Sequence, residues 1–175
     1  MQTLLKTACA AVATAAAMIA TSASAADVTV TFIHPETFRD ASYSQPFYES
    51  GALTPEVGRD VEKFLVELGR KRLPANESLK IEVLDLDMAG RIRPIGALSG
   101  DEIRVVRDAD WPRMKVRYSL TRGELVLASG EETMTDMDFM SRGLNYASSD
   151  RLRFEKAMME RWFRRTLERP QAASR

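Results

Sequence analysis

The sequence predicts an α+β fold: a mixed sheet of four to five strands, built from a β-α-β unit and a β-hairpin, with two main helices packed on it. Three observations lead there. A β-branched strand, an amphipathic helix and an apolar strand follow one another between residues 27 and 88. Residues 113–134 alternate as a hairpin does, and a helix rich in large apolar side chains ends the chain.

Each element has a local cause. In Asp27 to Ile33, Val28, Val30 and Phe32 alternate with Thr29, Thr31 and Ile33, and His34-Pro35 ends the strand. Residues 36–53 show no period and read as a loop held down by aromatics such as Tyr43, Phe47 and Tyr48. Thr54-Pro55-Glu56 starts a helix, with a hydroxyl to cap free amides, a proline where no amide is needed and an acid at the positive dipole end. Val57, Val61, Phe64, Leu65 and Leu68 then share one face, and Pro74 stops the element. Leu79 to Met88 is nearly continuously apolar, which predicts a strand buried on both faces and paired in parallel with the first.

Residues 89–102 read as loop, and Ile103 to Val106 as a short strand. Met114, Val116, Tyr118 and Leu120 alternate with Arg113, Lys115, Arg117 and Ser119, Thr121-Arg122-Gly123 turns, and Glu124 to Met134 returns. Ser149 or Asp150 caps the final helix, which runs to about Leu167. Its apolar set, Leu152, Phe154, Met158, Met159, Trp162, Phe163 and Leu167, exceeds one stripe, so the helix packs on two sides or offers one side to a partner.

Residues 1–26 order a single charge, Lys6, an apolar stretch and small residues ending at Ala25-Ala26, which is the pattern of a cleaved signal peptide. Residues 27–170 then form one domain, and 171–175 a frayed tail. The only cysteine, Cys9, leaves with the leader, so thiolate chemistry and disulfides are excluded from the mature chain. Expected localisation is export to the periplasm, with no transmembrane segment after cleavage.

The 25 basic and 25 acidic side chains cancel. That argues against a nucleic-acid partner, whose recognition normally needs a basic excess. Yet the cancellation is uneven. Residues 27–62 carry seven acids against two bases, and residues 103–122 six bases against two acids. Arg113, Lys115 and Arg117 should share one strand face, suited either to an anionic envelope surface or envelope protein, or simply to solvent.

Several strings resemble an uncharacterised family of exported bacterial proteins, domain of unknown function 3016. They are Val28 to Phe32 followed by Pro35 and Phe38; Ile103 to Asp108 with Trp111-Pro112-Arg113; and Ser148-Ser149-Asp150 leading into Leu152, Phe154-Glu155-Lys156 and Trp162-Phe163. The resemblance implies an envelope location and a single domain, and brings no activity with it.

Candidate chemistry is sparse. Asp85 and Asp87, two apart on a strand, point the same way and could hold a hard cation or act as an acid–base pair; equally, they could bond local backbone amides at a strand end. Met134, Met137 and Met140 recur every third residue, which suits a soft metal or a core stripe. His34 is the sole imidazole, read as a turn or packing residue, and no nucleophile elbow accompanies it. The scattered glycines form no phosphate cradle, so no cofactor is expected. No catalytic residue is assigned. The leading expectation is a non-catalytic accessory or interaction module of the cell envelope; the alternatives are a carboxylate-based hydrolase and a metal-handling protein.

Overall fold

The structure, a computed structural model, describes residues 26–43, 52–95 and 101–168. The leader, most of the aromatic loop including Phe47 and Tyr48, and the tail lie outside the described residues. The fold is α+β. Strands β1 (Asp27–Phe32), β2 (Ser78–Asp87), β5 (Arg113–Arg122) and β6 (Leu125–Thr135) form a four-stranded sheet in the order β1-β2-β5-β6. β1 and β2 are parallel, as the intervening helix α1 (Pro55–Arg72) requires, and the other pairs are antiparallel. Gly123, at φ 58°, opens the two-residue turn between β5 and β6, a position where side chains other than glycine are strained.

Helix α1 and the last helix, α3 (Arg153–Thr166), contribute to one core on one face of this sheet. Val28 and Val30 of β1, Leu79, Ile81, Val83 and Leu86 of β2, and Met114, Val116, Tyr118 and Leu120 of β5 meet Val57, Val61 and Leu65 of α1 and Met158, Met159, Trp162 and Phe163 of α3. Tyr118 and Trp162 stack edge to face with centroids 5.5 Å apart. The opposite face of the sheet carries Lys80, Glu82, Lys115 and Arg117.

Four expectations are corrected, and an alternative for the last helix is resolved. Leu79 to Val83 of β2 is buried on one face only, because the apolar run is interleaved with Lys80 and Glu82; a register shift at Leu84 then turns Leu86 back to the core. The segment read as loop contains β3 (Arg91–Ile95), which pairs antiparallel with β4 (Asp101–Val105) in a separate two-stranded sheet, so the short strand there does not extend the main sheet. Thr54 precedes α1 in an extended conformation, but its hydroxyl makes no cap bond and is buried without a partner among the described residues. α3 starts later than Ser149 or Asp150, at Arg153, with the Asp150 carboxylate accepting from the Leu152 amide at 2.9 Å. All seven of its large apolar side chains are buried, so the helix packs on two sides and offers no apolar stripe outward.

Its second side meets a short excursion after β6: α2 (Phe139–Arg142) followed by a 3-10 turn, Gly143–Asn145. Phe139 and Phe154 stack edge to face at 5.0 Å and form a small second core with Ala89. Phe139 and Gly143 face inward, leaving Met140 and Leu144 outside.

Candidate functional site

Three regions carry the charged and sulfur-bearing groups, and they differ in what those groups touch. The first lies at the end of β2. Residues 38–42 run beside it as a strap, with the Asp40 amide donating to the Leu86 carbonyl at 3.2 Å and the Met88 amide to the Asp40 carbonyl at 2.8 Å. Arg104 of β4 reaches in and donates to both Asp40 oxygens, at 2.7 and 3.1 Å, and to the Ser42 carbonyl at 2.6 Å. Arg91 of β3 donates to Asp87 at 3.0 Å and lies 3.6 Å from Asp40. Gly90, at φ 80°, lets the chain enter β3 with its Cα against the Val105 carbonyl, where no side chain fits. The small sheet is thus clasped to the main one by two arginine–aspartate pairs.

Asp85 and Asp87 follow the register shift of β2 in unbroken register, opposite Lys115 and Arg113; Asp85 accepts from the Arg39 amide of the strap at 3.0 Å, while Asp87 faces Arg91 and Asp40. Burial pushes the Asp87 carboxyl up, with Arg91 opposing and Asp40 adding to the rise. Behind them Glu155 of α3 is fully enclosed; it accepts from the Ala89 amide at 2.8 Å, and burial raises its carboxyl as well. A groove of about 430 Å³ lined by Arg39, Asp40, Asp87, Arg91 and Arg93 opens here.

The second region is the open sheet face. Arg117 and Lys115 do share it, as the alternation required. Each is met by an acid: Lys115 lies 2.7 Å from Glu131, and Arg117 lies 3.0 Å from Glu82 and 2.9 Å from Glu131. Bonds from Lys80 and Arg117 lower Glu82, and bonds from Lys115 and Arg117 lower Glu131. Arg113, at the strand's start, stands opposite Asp87 and Thr135 in the ladders. This face is a lattice of cross-strand pairs.

The third region is where β6, α2 and α3 meet. The methionine repeat does not form a stripe, because it crosses three conformations. Met134 ends β6 and faces the core, Met137 lies in a turn, and Met140 is on α2. Met137, Met140 and Leu144 are 69%, 44% and 83% exposed, the largest such cluster close together in sequence among the described residues. Met140 and Leu144, four apart, share a face of the helical excursion. Asp136, fully buried, holds the excursion to α3 by accepting from Arg142 and Arg161. Arg161 and Arg165 line a groove of about 340 Å³ with Met134, Met137, Met158 and Trp162, and with Arg164 they line a second of about 540 Å³. Arg165 lies 3.2 Å from Glu132, which also accepts from the Trp162 indole; Arg164 is exposed and has no carboxylate partner among the described residues.

His34 sits in a left-handed conformation, φ 53°, before the 3-10 turn Pro35–Thr37, exposed and 3.4 Å from Glu36. Among the described residues no group of three or more histidine, cysteine or acidic side chains has metal-binding geometry. No helix there is long and apolar enough to cross a membrane.

Sequence reasoning missed Asp40, Arg104 and Glu155. Asp40 lies in a segment without period and Glu155 on a helix where an acid normally marks the solvated face. Leu144 could have been found, as an apolar residue outside any periodic run.

No curated protein and no solved structure matches this chain. The strand, hairpin and final-helix strings that gave the resemblance all fall within one family match, over residues 26–165, and the chain belongs to the family described as Protein of unknown function (DUF3016).

Proposed function

We propose that this protein is exported to the periplasm and works there as a non-catalytic accessory module that docks on an anionic membrane surface of the envelope. The leader pattern supports export. Ala26 is buried in the core, so cleavage after Ala25 keeps a packed residue that cleavage after Ala26 would remove. The observation that carries the docking reading is the outward cluster Met137, Met140 and Leu144 beside the exposed arginines of α3. Met140 and Leu144 are exposed on the helical excursion, and Met137 in the turn before it. Exposed apolar groups flanked by guanidinia fit an interfacial layer, where chains insert between headgroups, better than they fit a peptide, which needs a concave apolar groove. The open sheet face, with Arg113, Lys115 and Arg117, offers cations of the same kind, but two of the three are already neutralised by Glu82 and Glu131.

Sedimentation with phosphatidylglycerol-containing vesicles tests this. Salt-sensitive binding is expected, lost in the double variant Leu144→Ser with Arg164→Glu and kept when Arg113, Lys115 and Arg117 are reversed in charge. Binding lost only in the triple variant would move the site to the sheet face. Absence of binding would overturn the docking reading.

One observation favours a second reading, a carboxylate-based hydrolase. Asp87, its carboxyl raised by burial, lines a groove with Arg39, Arg91 and Arg93, so an acid and several oxyanion-stabilising cations stand together. Any hydrolytic turnover by the purified protein that disappears in Asp87→Asn, with the fold intact, would support it.

A further inference from the structure

Beside the docking reading, with which it shares Met137, the groove between the end of β6 and α3 carries a metal inference. In the mature chain expected from the sequence there is no cysteine and one histidine, His34, which lies exposed at the far end of β1. Soft-metal chemistry in such a chain has only thioethers to use. The structure brings three of them to one groove of about 340 Å³: Met134 from the last core-facing position of β6, Met137 from the turn that follows, and Met158 from α3. Met140 does not line it, since α2 turns that side chain to solvent. The indole of Trp162, one helical turn beyond Met158, lines the same groove, and an indole face attracts a cation.

Arg161 and Arg165 also line the groove, and their charges are opposed by carboxylates. Asp136 accepts from Arg161 at 3.4 Å and from Arg142, Glu132 accepts from Arg165 at 3.2 Å, and Asp138 from Arg142 at 2.8 Å. Three guanidinia in and around the groove are therefore paired with three carboxylates, of which Asp138 lines it with Arg161 and Arg165. A monovalent soft ion held by neutral thioethers adds one charge to such a site, whereas a hard divalent ion finds no free carboxylate pair in it. The sulfurs come from a strand end and from a helix packed against it, so their supports are fixed by the core and only Met137 is free to close over an ion.

We propose that this groove binds one Cu(I) ion through the thioethers of Met134, Met137 and Met158, with Trp162 against it. The site differs from the sequence repeat by one residue: Met158 takes the place of Met140. That exchange makes the test sharp. Cu(I), kept reduced with ascorbate, is titrated into the purified full chain carrying Cys9→Ser, against a chromogenic Cu(I) chelator. The expected result is one ion per chain, with affinity falling at least tenfold in Met137→Leu and in Met158→Leu and unchanged in Met140→Leu. Quenching of indole fluorescence on binding, abolished in Trp162→Phe, is expected beside it. Met137 is exposed, so its variant folds whatever becomes of the buried positions. Absent binding in the starting protein, equal affinity in Met137→Leu, or a loss in Met140→Leu as large as in Met158→Leu would each overturn the assignment.

Discussion

The charged groups at the end of β2 and those around α2 and α3 have the same composition, arginines over buried carboxylates, and differ in enclosure: Arg104 is 15% exposed, Arg161 47%. At the end of β2, Asp40, Asp87 and Glu155 are buried and their partners reach inward to them, so the charges close on one another and hold the small sheet in place. Around α3 the carboxylate Asp136 is the buried member, and the guanidinia and the apolar tips of Met137, Met140 and Leu144 face out. The difference teaches that a cation count says little until the position of the counter-charge is known. A charge whose partner is buried beneath it still presents its outer side, whereas one whose partner lies beside it in the sheet plane is spent.

The comparison can be broken first at the clasp. Arg104→Ala leaves Asp40 buried with only Arg91, 3.6 Å away, so unfolding in urea should show a loss of about 3 kcal/mol. Next in size is Gly143→Ala. A methyl there meets the Phe154 ring, and overpacking of this kind costs about 2 kcal/mol. Since Gly143 anchors the excursion under Met140 and Leu144, this variant should weaken vesicle binding without touching an exposed side chain.

A smaller effect appears in the pH dependence. Burial raises the folded-state carboxyls of Glu155 and Asp87 above their unfolded values, so the native state holds protons that the unfolded chain has released. Their contribution is fully present below the ordinary carboxylate range and is lost as pH rises through the raised folded values. Glu155→Gln keeps an oxygen for the Ala89 amide and cannot ionise. Urea midpoints measured from about pH 5 to about pH 7 should therefore decline less steeply in the variant than in the parent. Glu82 and Glu131 act in the opposite direction: lowered by their lysine and arginine partners, they help above the ordinary range and stop helping as pH falls through their depressed values. The smallest effect is expected from Lys115→Ala, an exposed pair in the sheet lattice, whose unfolding midpoint at physiological salt should match the parent within error.

The regions differ as much in how far they could be read from sequence. β5 was legible because one of its faces is buried and the other open, so Met114, Val116, Tyr118 and Leu120 had to alternate with polar residues. The parallel pairing of β1 and β2 followed from the helix between them. β3 was not legible: it is five residues with a proline, half exposed, and its place is decided by pairing with β4, whose Arg104 reaches Asp40 far along the chain. Asp85 and Asp87 keep the two-residue period, since the register shift of β2 falls before them, but their partners Arg39 and Arg91 belong to segments without a periodic signal. The methionine spacing of three misled because a helical period means nothing across a strand, a turn and a four-residue helix. Charge segregation along the sequence was real, but folding answers the basic middle mostly from outside the acidic stretch: Arg104 meets Asp40, whereas Lys115, Arg117 and Arg122 meet Glu131, Glu82 and Glu77.

Hydrogen exchange of the protein with and without phosphatidylglycerol vesicles tests the central claim most directly, since it reads both regions in one experiment. The account predicts slowed exchange confined to residues 137–147, with the clasp at 87–95 and the sheet strand 113–122 unchanged. Slowing at the clasp or the sheet strand, with residues 137–147 exchanging as in the free protein, would contradict it.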